Sequence, residues 1–347
     1  MNRRSKTVIW GAIPVLAFTY LISAPTVPFT DIPLTVPYAA EGPGPTYNTL
    51  ADYDGKQIVN IAGAEVDKTT GNLNMTTVSV RTQMTLSQAV ARWLFSEDTI
   101  VPIESVFPQD MTEEEINQQN QLAFVDSESS ATLAAFNYLG RPTVVEIKEV
   151  TPDGPAKDHL AAGERIAAID GIAIHSPDQL RGLVSAKKPG EKVSVTLVDG
   201  GTKEIELGEN PHTGTGFLGI TMGSVPADDT KVEYNLEDIG GPSAGLMFSL
   251  AVVDKLSPGE LTGGKFIAGT GTIDAAGKVG PIGGIQHKVR AAKEAGAEVF
   301  LAPQDNCAEA MRSQAEGLTV LKVATIDDAI RQLEAYNSGG EVTTCSN

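Results

Sequence analysis

An uncharged apolar segment near the N-terminus constrains this chain more than any other feature of its sequence. Two arginines and a lysine lie within the first six residues, and residues 7–24 then carry no charged side chain. A stretch of this length is close to the minimum that spans a bilayer as a helix. Cations before the segment and an acidic chain after it orient such a helix with the cations inside. The sequence therefore predicts a cytoplasmic segment over residues 1–6, a transmembrane helix over residues 7–24 and an extracytoplasmic remainder.

A cleaved signal peptide is the competing interpretation of the same segment. Residues 37–40 offer only a late and poor cleavage site, which favours an uncleaved anchor. Both interpretations place the folded part outside the cytoplasm. Residues 25–54 begin with a proline-rich stretch that has few charges, which predicts an extended linker between the anchor and the folded part.

The composition indicates a folded protein that does not bind nucleic acid. Hydrophobic residues make up 41% of the 347 residues, enough for the cores of two or three domains. A net charge of -18 without a lysine and arginine stripe argues against phosphate binding. Only two cysteines occur and no zinc-type cluster, so we expect neither a metal nor a cofactor. Cys307 and Cys345 either stay unpaired or form a disulfide in an oxidising compartment.

Beyond residue 54 the hydrophobic pattern switches between strand-like alternation and helical spacing. Capping-box patterns begin at Thr85 and Thr112 and predict two helix starts. The mixture predicts an α+β fold. The predicted divisions are mixed segments over residues 55–138 and 211–335, a β-rich segment over residues 139–210 and a polar tail over residues 336–347.

The β-rich segment carries a series of turn motifs. Gly-Pro-Ala at residues 154–156 is followed by Ala-Gly at 162–163 and by Glu-Arg-Ile-Ala-Ala-Ile-Asp-Gly at 164–171. Together these resemble the PDZ domain found in bacterial proteases. The resemblance implies capture of an extended peptide by strand addition, with backbone N–H groups around its terminal carboxylate. The expected carboxylate-binding loop is Tyr138, Leu139 and Gly140. The alternative is a small β-rich spacer that binds no peptide.

A serine lies in the run Gly-Gly-Pro-Ser-Ala-Gly at residues 240–245, at a predicted transition from strand to helix. Pro242 suits the first helical turn, and a helix N-terminus leaves backbone donors free for a developing oxyanion. Ser243 is therefore a candidate nucleophile, with the backbone of Gly241, Pro242 and Ala244 beside the substrate. The alternative is a serine that only caps a helix.

A lysine follows a glycine turn in the run Val-Gly-Pro-Ile-Gly-Gly-Ile-Gln-His-Lys-Val at residues 279–289. It can act as a general base only if its pKa falls well below about 10.4. Ile285, Val289 and Ala292 surround Lys288 along the predicted helix, and burial among them would lower that pKa. The alternative is a solvated surface lysine.

The two runs together resemble the proteolytic domain of Lon proteases. That family carries its nucleophilic serine in Gly-Pro-Ser-Ala-Gly and its catalytic lysine after Pro-Ile-Gly-Gly, about 45 residues later, which matches Ser243 and Lys288. The resemblance also implies that the Thr270 hydroxyl positions the lysine. The sequence departs from the family at Gly240, where an aspartate is usual, and at Thr272, where a glutamate is common.

The acidic supports of the site would then come from elsewhere in the chain. The candidates are Glu237, Asp238 and Asp274. His287 neighbours Lys288, but adjacent helical residues point about 100° apart, so we expect it to be exposed. A Walker-like run at residues 259–266 ends in phenylalanine where a Mg²⁺-binding hydroxyl belongs, which predicts a coincidental turn and no use of ATP.

The whole chain resembles membrane-anchored, PDZ-containing Lon-like proteases. The resemblance implies a PDZ module inserted within the peptidase domain and a possible ring of identical subunits. It implies an ATP-independent serine endopeptidase that cleaves unfolded or C-terminally recognised extracytoplasmic proteins. Two alternatives remain: a non-enzymatic PDZ scaffold for peptides, and a self-processing regulatory protease with a single membrane partner.

Overall fold

The computed structural model describes residues 3–96, 98–106, 111–211, 213–236, 239–313 and 316–346. The helices are α1 (Arg3–Ser23), α2 (Leu86–Phe95), α3 (Ile103–Val106), α4 (Glu113–Tyr138), α5 (Pro177–Ser185), α6 (Gly245–Leu256), α7 (Ile285–Glu294), α8 (Cys307–Ala310) and α9 (Ile326–Ser338). The strands of the first half are β1 (Tyr38–Asn48), β2 (Asp52–Tyr53), β3 (Lys56–Gln57), β4 (Val59–Ala62), β5 (Asn72–Arg81), β6 (Thr99–Pro102), β7 (Thr143–Val150), β8 (Arg165–Ile169) and β9 (Ile172–Ala173). Those of the second half are β10 (Lys192–Leu197), β11 (Thr202–Glu206), β12 (Gly208–Glu209), β13 (Gly216–Phe217), β14 (Ile220–Pro226), β15 (Lys231–Tyr234), β16 (Phe266–Gly269), β17 (Thr272–Ile273), β18 (Val279–Gly280), β19 (Val299–Pro303) and β20 (Thr319–Val323).

The N-terminal segment is helical, as α1. No helix within the described ranges is long and apolar enough to cross a membrane. The structure therefore gives no support to the transmembrane helix expected over residues 7–24. The two capping boxes predicted at Thr85 and Thr112 are confirmed, each with reciprocal side-chain and backbone hydrogen bonds at the start of α2 and α4.

One six-stranded sheet, with the strand order β20-β19-β16-β5-β1-β6, organises the predicted peptidase unit. Its centre is parallel, whereas β1 pairs antiparallel with both β5 and β6. Helices α4, α6 and α9 contribute to the core on one face, and α7 packs with Ala268 and Phe300 in a second core on the other. The linker expected over residues 25–54 is wrong from residue 38 onward, because β1 is a full member of this sheet.

A second sheet, in the order β11-β10-β8-β7-β14, forms the β-rich unit around its own apolar core. The predicted boundary at residue 210 is too early. Residues 220–226 form β14, which pairs antiparallel with β7 from Ile220 opposite Val150 to Pro226 opposite Thr143. Because the sequence turns glycine-rich before β14, it predicts this strand as part of the catalytic segment.

The β-rich unit is an insertion within the peptidase unit. The chain leaves at the end of α4 and returns through β15, which pairs with β4. The rings of Phe124 and Tyr234, from either side of the insertion, lie 5.6 and 4.7 Å from that of Phe248. Arg141, where the chain enters the insertion, lies close to Thr230, where the chain leaves it. The distance from Arg141 Nη1 to Thr230 Oγ1 is 3.4 Å. Residues 55–138 therefore share one core with the catalytic segment.

The C-terminal tail is tied to the sheet edge. α9 continues to Ser338, and the Cys345 N–H donates to the carbonyl of Val320 in β20 at 2.9 Å. Cys345 forms a disulfide with Cys307, with a Cα–Cα distance of 5.1 Å. Of the two states that the sequence left open for the cysteines, the structure adopts the disulfide.

The disulfide predicts a measurable loss of stability on removal. Because it links residues 38 positions apart, it lowers the entropy of the unfolded chain, which corresponds to about 3–4 kcal/mol. Cys345→Ser should lower the free energy of unfolding by that amount in urea titrations. Reductant should lower the stability of the unchanged protein equally and leave the variant unaffected. Equal stability of all forms would contradict this.

Candidate active site

Ser243 lies in a short 3-10 turn, Pro242–Ala244, that leads directly into α6. Gly241 precedes the turn at φ +87°, a backbone conformation that side chains other than glycine rarely adopt. The Ser127 hydroxyl, from α4, donates to the Pro242 carbonyl at 3.0 Å. The Gly271 N–H donates to the Ser243 carbonyl at 3.0 Å. The nucleophile turn is therefore held from two sides of the unit.

Lys288 lies in the first turns of α7 and is buried, with 3% of its surface exposed. Its Nζ is 2.6 Å from Ser243 Oγ and 3.0 Å from Thr270 Oγ1. The Thr270 hydroxyl donates its proton to the Ser243 carbonyl at 3.0 Å, so it can accept a hydrogen bond from the lysine. The structure thus brings together the three side chains singled out from the sequence.

Burial lowers the pKa of Lys288 to about 7. Removing an ammonium group from water without a neighbouring carboxylate favours the neutral amine. Among the described residues that line the cleft, none is acidic. Near neutral pH a large fraction of Lys288 is therefore unprotonated and able to accept a proton from Ser243.

Ser243 and Lys288 open into a cleft of about 360 Å³. Its walls combine apolar side chains with glycine backbone. The lining residues are Pro45, Tyr47, Met75, Thr77, Val78, Phe124, Ile239, Gly240, Gly241, Ser243, Ala244 and Lys288. Such a surface suits an extended polypeptide that presents an apolar side chain near the serine.

The backbone donors at the turn differ from those expected. The Gly241 N–H donates to the carbonyl of Asn120 at 2.8 Å, so the fold already uses it. Pro242 has no N–H and does not line the cleft. Ser243 and Ala244 begin the helical segment, where backbone N–H groups lack helical acceptors. The backbone N–H groups of Ser243 and Ala244 are therefore the better candidates for an oxyanion hole.

Of the three acidic supports expected from the sequence, the structure describes only Asp274. Asp274 lies in the turn between β17 and β18, where Oδ1 accepts from the Lys278 N–H at 2.9 Å. Glu237 and Asp238 lie outside the described residues. Within the described ranges no cluster of His, Cys, Asp or Glu could hold a metal ion.

The expectation that His287 is exposed is wrong. Its side chain is only 3% exposed, because α7 has β1 and β5 on one flank and the short C-terminal helices on another. Burial and the neighbouring Arg290 lower the pKa of His287. It does not line the cleft, so it is not a second candidate base for Ser243.

The Walker-like run forms part of a structural turn. Lys265 Nζ lies 4.5 Å from the centre of the Tyr336 ring and 3.3 Å from Asn337 Oδ1. The Thr262 hydroxyl donates to the Thr70 carbonyl at 2.8 Å. The lysine of the run and its Thr262 hydroxyl are thus both used within the fold.

A second cleft, of about 460 Å³, lies between α5 and β14 in the β-rich unit. Val184, Leu218, Ile220 and Met222 contribute apolar side chains, and Phe217 belongs to β13. β14 is the edge strand of its sheet, so its outer backbone groups can pair with a peptide. This is the geometry of a groove that binds an added strand.

The carboxylate-binding loop predicted at Tyr138, Leu139 and Gly140 is not part of this groove. Leu139 caps α4 and packs against the core of the peptidase unit. The groove instead uses a second Leu-Gly pair, Leu218-Gly219. The strand-like residues after that pair were the signal that could have identified it from the sequence.

Comparison with known proteins assigns both units. Residues 238–334 match the Lon protease (S16) C-terminal proteolytic domain, and residues 119–207 match the PDZ domain. The first range contains Ser243, Thr270 and Lys288. The second begins within α4 and ends before β14, the strand that completes the groove.

The relatives are distant, and they are longer than this chain. Lon protease 2 of Bacillus subtilis is 22% identical over 206 residues, which cover 55% of this chain and 36% of that protein. The Lon protease of Lachnoclostridium phytofermentans is 30% identical over 167 residues, covering 39% and 20%. The PDZ domain of the SdrC-like protein from Listeria monocytogenes is 33% identical, with a TM-score of 0.22 over 22% of this chain and 85% of that chain. The chain thus spans about a third or less of the curated relatives' length.

The lowered pKa of Lys288 predicts how activity depends on pH. Its neutral form is the base, so the reaction rate should rise as pH increases through about 7 and level off above pH 8. At pH 5 the rate should be roughly 100-fold below the plateau. Initial rates of peptide cleavage between pH 5 and 10 measure this. A midpoint above pH 9 would indicate a solvated lysine.

Proposed function

We propose that this chain, a PDZ-containing Lon-like serine peptidase, is an ATP-independent endopeptidase that cleaves flexible polypeptides. The observation that carries the proposal is the contact of Ser243 with a buried Lys288 oriented by Thr270. A buried lysine would be costly to keep for structure alone, because burial opposes its charge. Its place in an open cleft beside a serine is what nucleophilic catalysis requires.

The reaction follows from this geometry. Neutral Lys288 accepts the proton of Ser243 Oγ as the oxygen attacks the scissile carbonyl. Backbone N–H groups at the start of α6 stabilise the oxyanion. The protonated amine then gives its proton to the leaving nitrogen as the C–N bond breaks. A water molecule, deprotonated by Lys288, hydrolyses the acyl-enzyme and restores Ser243.

The substrate preference follows from the shape of the site. The cleft is open and lined by apolar side chains and glycines, which admits an extended chain but supplies no force for unfolding. The contacts of Lys265 with Tyr336 and Asn337 argue against nucleotide binding by the Walker-like run. Unfolded or locally flexible proteins are therefore the proposed substrates.

The groove beside β14 is the proposed site of substrate capture. A C-terminal peptide would pair with the edge of β14 and place apolar side chains against Val184 and Met222. The loop containing Leu218 and Gly219 would receive the terminal carboxylate. This assigns capture and cleavage to separate units of one chain.

The proposed location is the outer side of a membrane, with residues 7–24 as the anchor. The uncharged segment and the cations before it support this orientation. The Cys307–Cys345 disulfide also supports it, because disulfides persist mainly in oxidising compartments. A ring of identical subunits stays an expectation from the resemblance.

The activity is tested with an unfolded substrate such as casein and a short fluorogenic peptide. Ser243→Ala and Lys288→Ala should each reduce cleavage at least ~1000-fold, since each removes a reacting group. Lys265→Ala is the matched control. It should retain activity, and added ATP should change nothing. Equal cleavage by all variants would disprove the dyad, whereas no cleavage by the unchanged protein would favour a PDZ scaffold without catalysis.

Substrate capture is tested by a charge placed in the groove. Met222→Glu should weaken binding of a peptide with an apolar C-terminal residue about tenfold or more, because the carboxylate would lie against an apolar wall. Cleavage of a short internal peptide should not change. Thr221→Glu is the control, since Thr221 is exposed on the same strand and does not line the groove. Equal binding by both variants, measured by calorimetry, would place capture elsewhere.

A further inference from the structure

The loop at residues 281–284, between β18 and α7, determines where the catalytic lysine lies. The Lys288 N–H donates to the Gly284 carbonyl at 3.2 Å. Gly284 has φ +67°, and a Cβ atom there would lie 2.8 Å from Val78 Cγ2. α7 therefore starts in close contact with β5, at a position that only glycine fits. Any shift of the loop would move the backbone that carries Lys288.

One buried side chain fastens this loop. Asn306 is 5% exposed and makes two hydrogen bonds to the backbone of Ile282. Its Oδ1 accepts from the Ile282 N–H at 2.9 Å, and its Nδ2 donates to the Ile282 carbonyl at 3.0 Å. A primary amide can satisfy both backbone groups of one residue in this way, whereas a carboxylate or an aliphatic side chain cannot.

Asn306 is held in place by the strand before it and by the disulfide after it. It follows β19, whose Leu301 carbonyl accepts the N–H of Thr270 at 3.2 Å, so one strand supports Thr270 and the turn that contains Asn306. The next residue is Cys307, which the disulfide joins to Cys345. Both cysteines pack in the same apolar core as Ile285, from α7. The support, the loop and the lysine helix therefore form one packed body.

We infer that Asn306 is a positioning residue for Lys288, acting through Ile282 and Gly284. The inference rests on the proposed function, since it assigns a role in the Ser243–Lys288 reaction. Asn306 touches neither the reacting atoms nor the cleft. Its two hydrogen bonds hold the start of α7 so that the buried amine reaches Ser243. Displacement of about 1 Å in such a site costs as much as 100-fold in rate.

The test compares Asn306→Ala and Asn306→Asp with the unchanged protein. The first variant removes both hydrogen bonds, and the second keeps the shape and the acceptor but loses the donor. Each should lower kcat at least roughly tenfold, with KM within about twofold. Loosening the loop also admits water to the amine, so the midpoint of the acid limb should rise above pH 7. A purely structural role would lower thermal stability without moving that midpoint.

Asn337→Ala is the matched control. Asn337 also bonds a backbone carbonyl, that of Leu261, at 3.0 Å, but it lies away from the dyad. It should lose stability without any change in kcat or pH midpoint. If both Asn306 variants keep the kcat and midpoint of the unchanged protein, the inference is overturned. The same holds if their rates fall only in proportion to the unfolded fraction.

A second readout separates the inference from the proposed function. The rate at which Ser243 is labelled by a fluorophosphonate depends on the lysine base but not on peptide cleavage. A protein that labels yet cleaves no peptide would overturn the endopeptidase proposal alone. In that case, slower labelling with a raised pH midpoint in Asn306→Ala, which adds no charge, would still support the positioning role. Unchanged labelling would overturn it.

Discussion

The structure of the peptidase unit depends on one contact, in which a buried lysine amine lies beside a serine hydroxyl. Burial lowers the pKa of Lys288 to about 7, and the surrounding packing must prevent water from restoring the charge. The 2.6 Å contact with Ser243 needs two helix starts to meet, one after Gly241 and one after Gly284. Both glycines adopt positive φ. The central sheet holds the two helices on its opposite faces and so fixes their approach.

Thr270 and Asn306 are both supported by β19, although neither residue lies on that strand. β19 accepts the backbone N–H of Thr270 and leads into the turn that contains Asn306. The Thr270 hydroxyl orients the amine, while Asn306 holds the loop from which the lysine helix begins. The polar part of the site thus depends on hydrogen bonds between backbone and uncharged side chains. This explains how the dyad is arranged without an acidic residue among the described residues that line the cleft.

The inserted unit connects to the catalytic turn by a short path. β14 forms one wall of the groove, and the chain continues through β15 to the glycines before Ser243. A hydrogen bond between Arg141 and Thr230 connects the points where the chain enters and leaves the insertion. The groove and the dyad therefore belong to separate units but lie close along the chain.

The local sequence was enough to identify the dyad. It could not predict the features that depend on pairing between strands far apart in the chain. Glycine turns and helix starts are local features that made Ser243 and Lys288 candidates, and the resemblance to Lon proteases added Thr270. Leu139-Gly140 and Leu218-Gly219 look alike in sequence, and only the pairing of β14 with β7 distinguishes them. Prolines made β1 look like a linker, but a register shift between Pro43 and Thr46 lets the strand accommodate them.

The most direct measurement of the central claim is the titration of the Lys288 amine itself. In Ser243→Ala protein with isotope-labelled lysine, NMR chemical shifts between pH 5 and 11 report each amine separately, and Lys288→Met identifies the signal by its loss. The account predicts one lysine with a pKa near 7. That pKa should shift upward in Asn306→Ala, which loosens the loop without adding a charge. A value near the ordinary 10.5 for Lys288 would contradict the account, because the lysine would then be charged when Ser243 has to react.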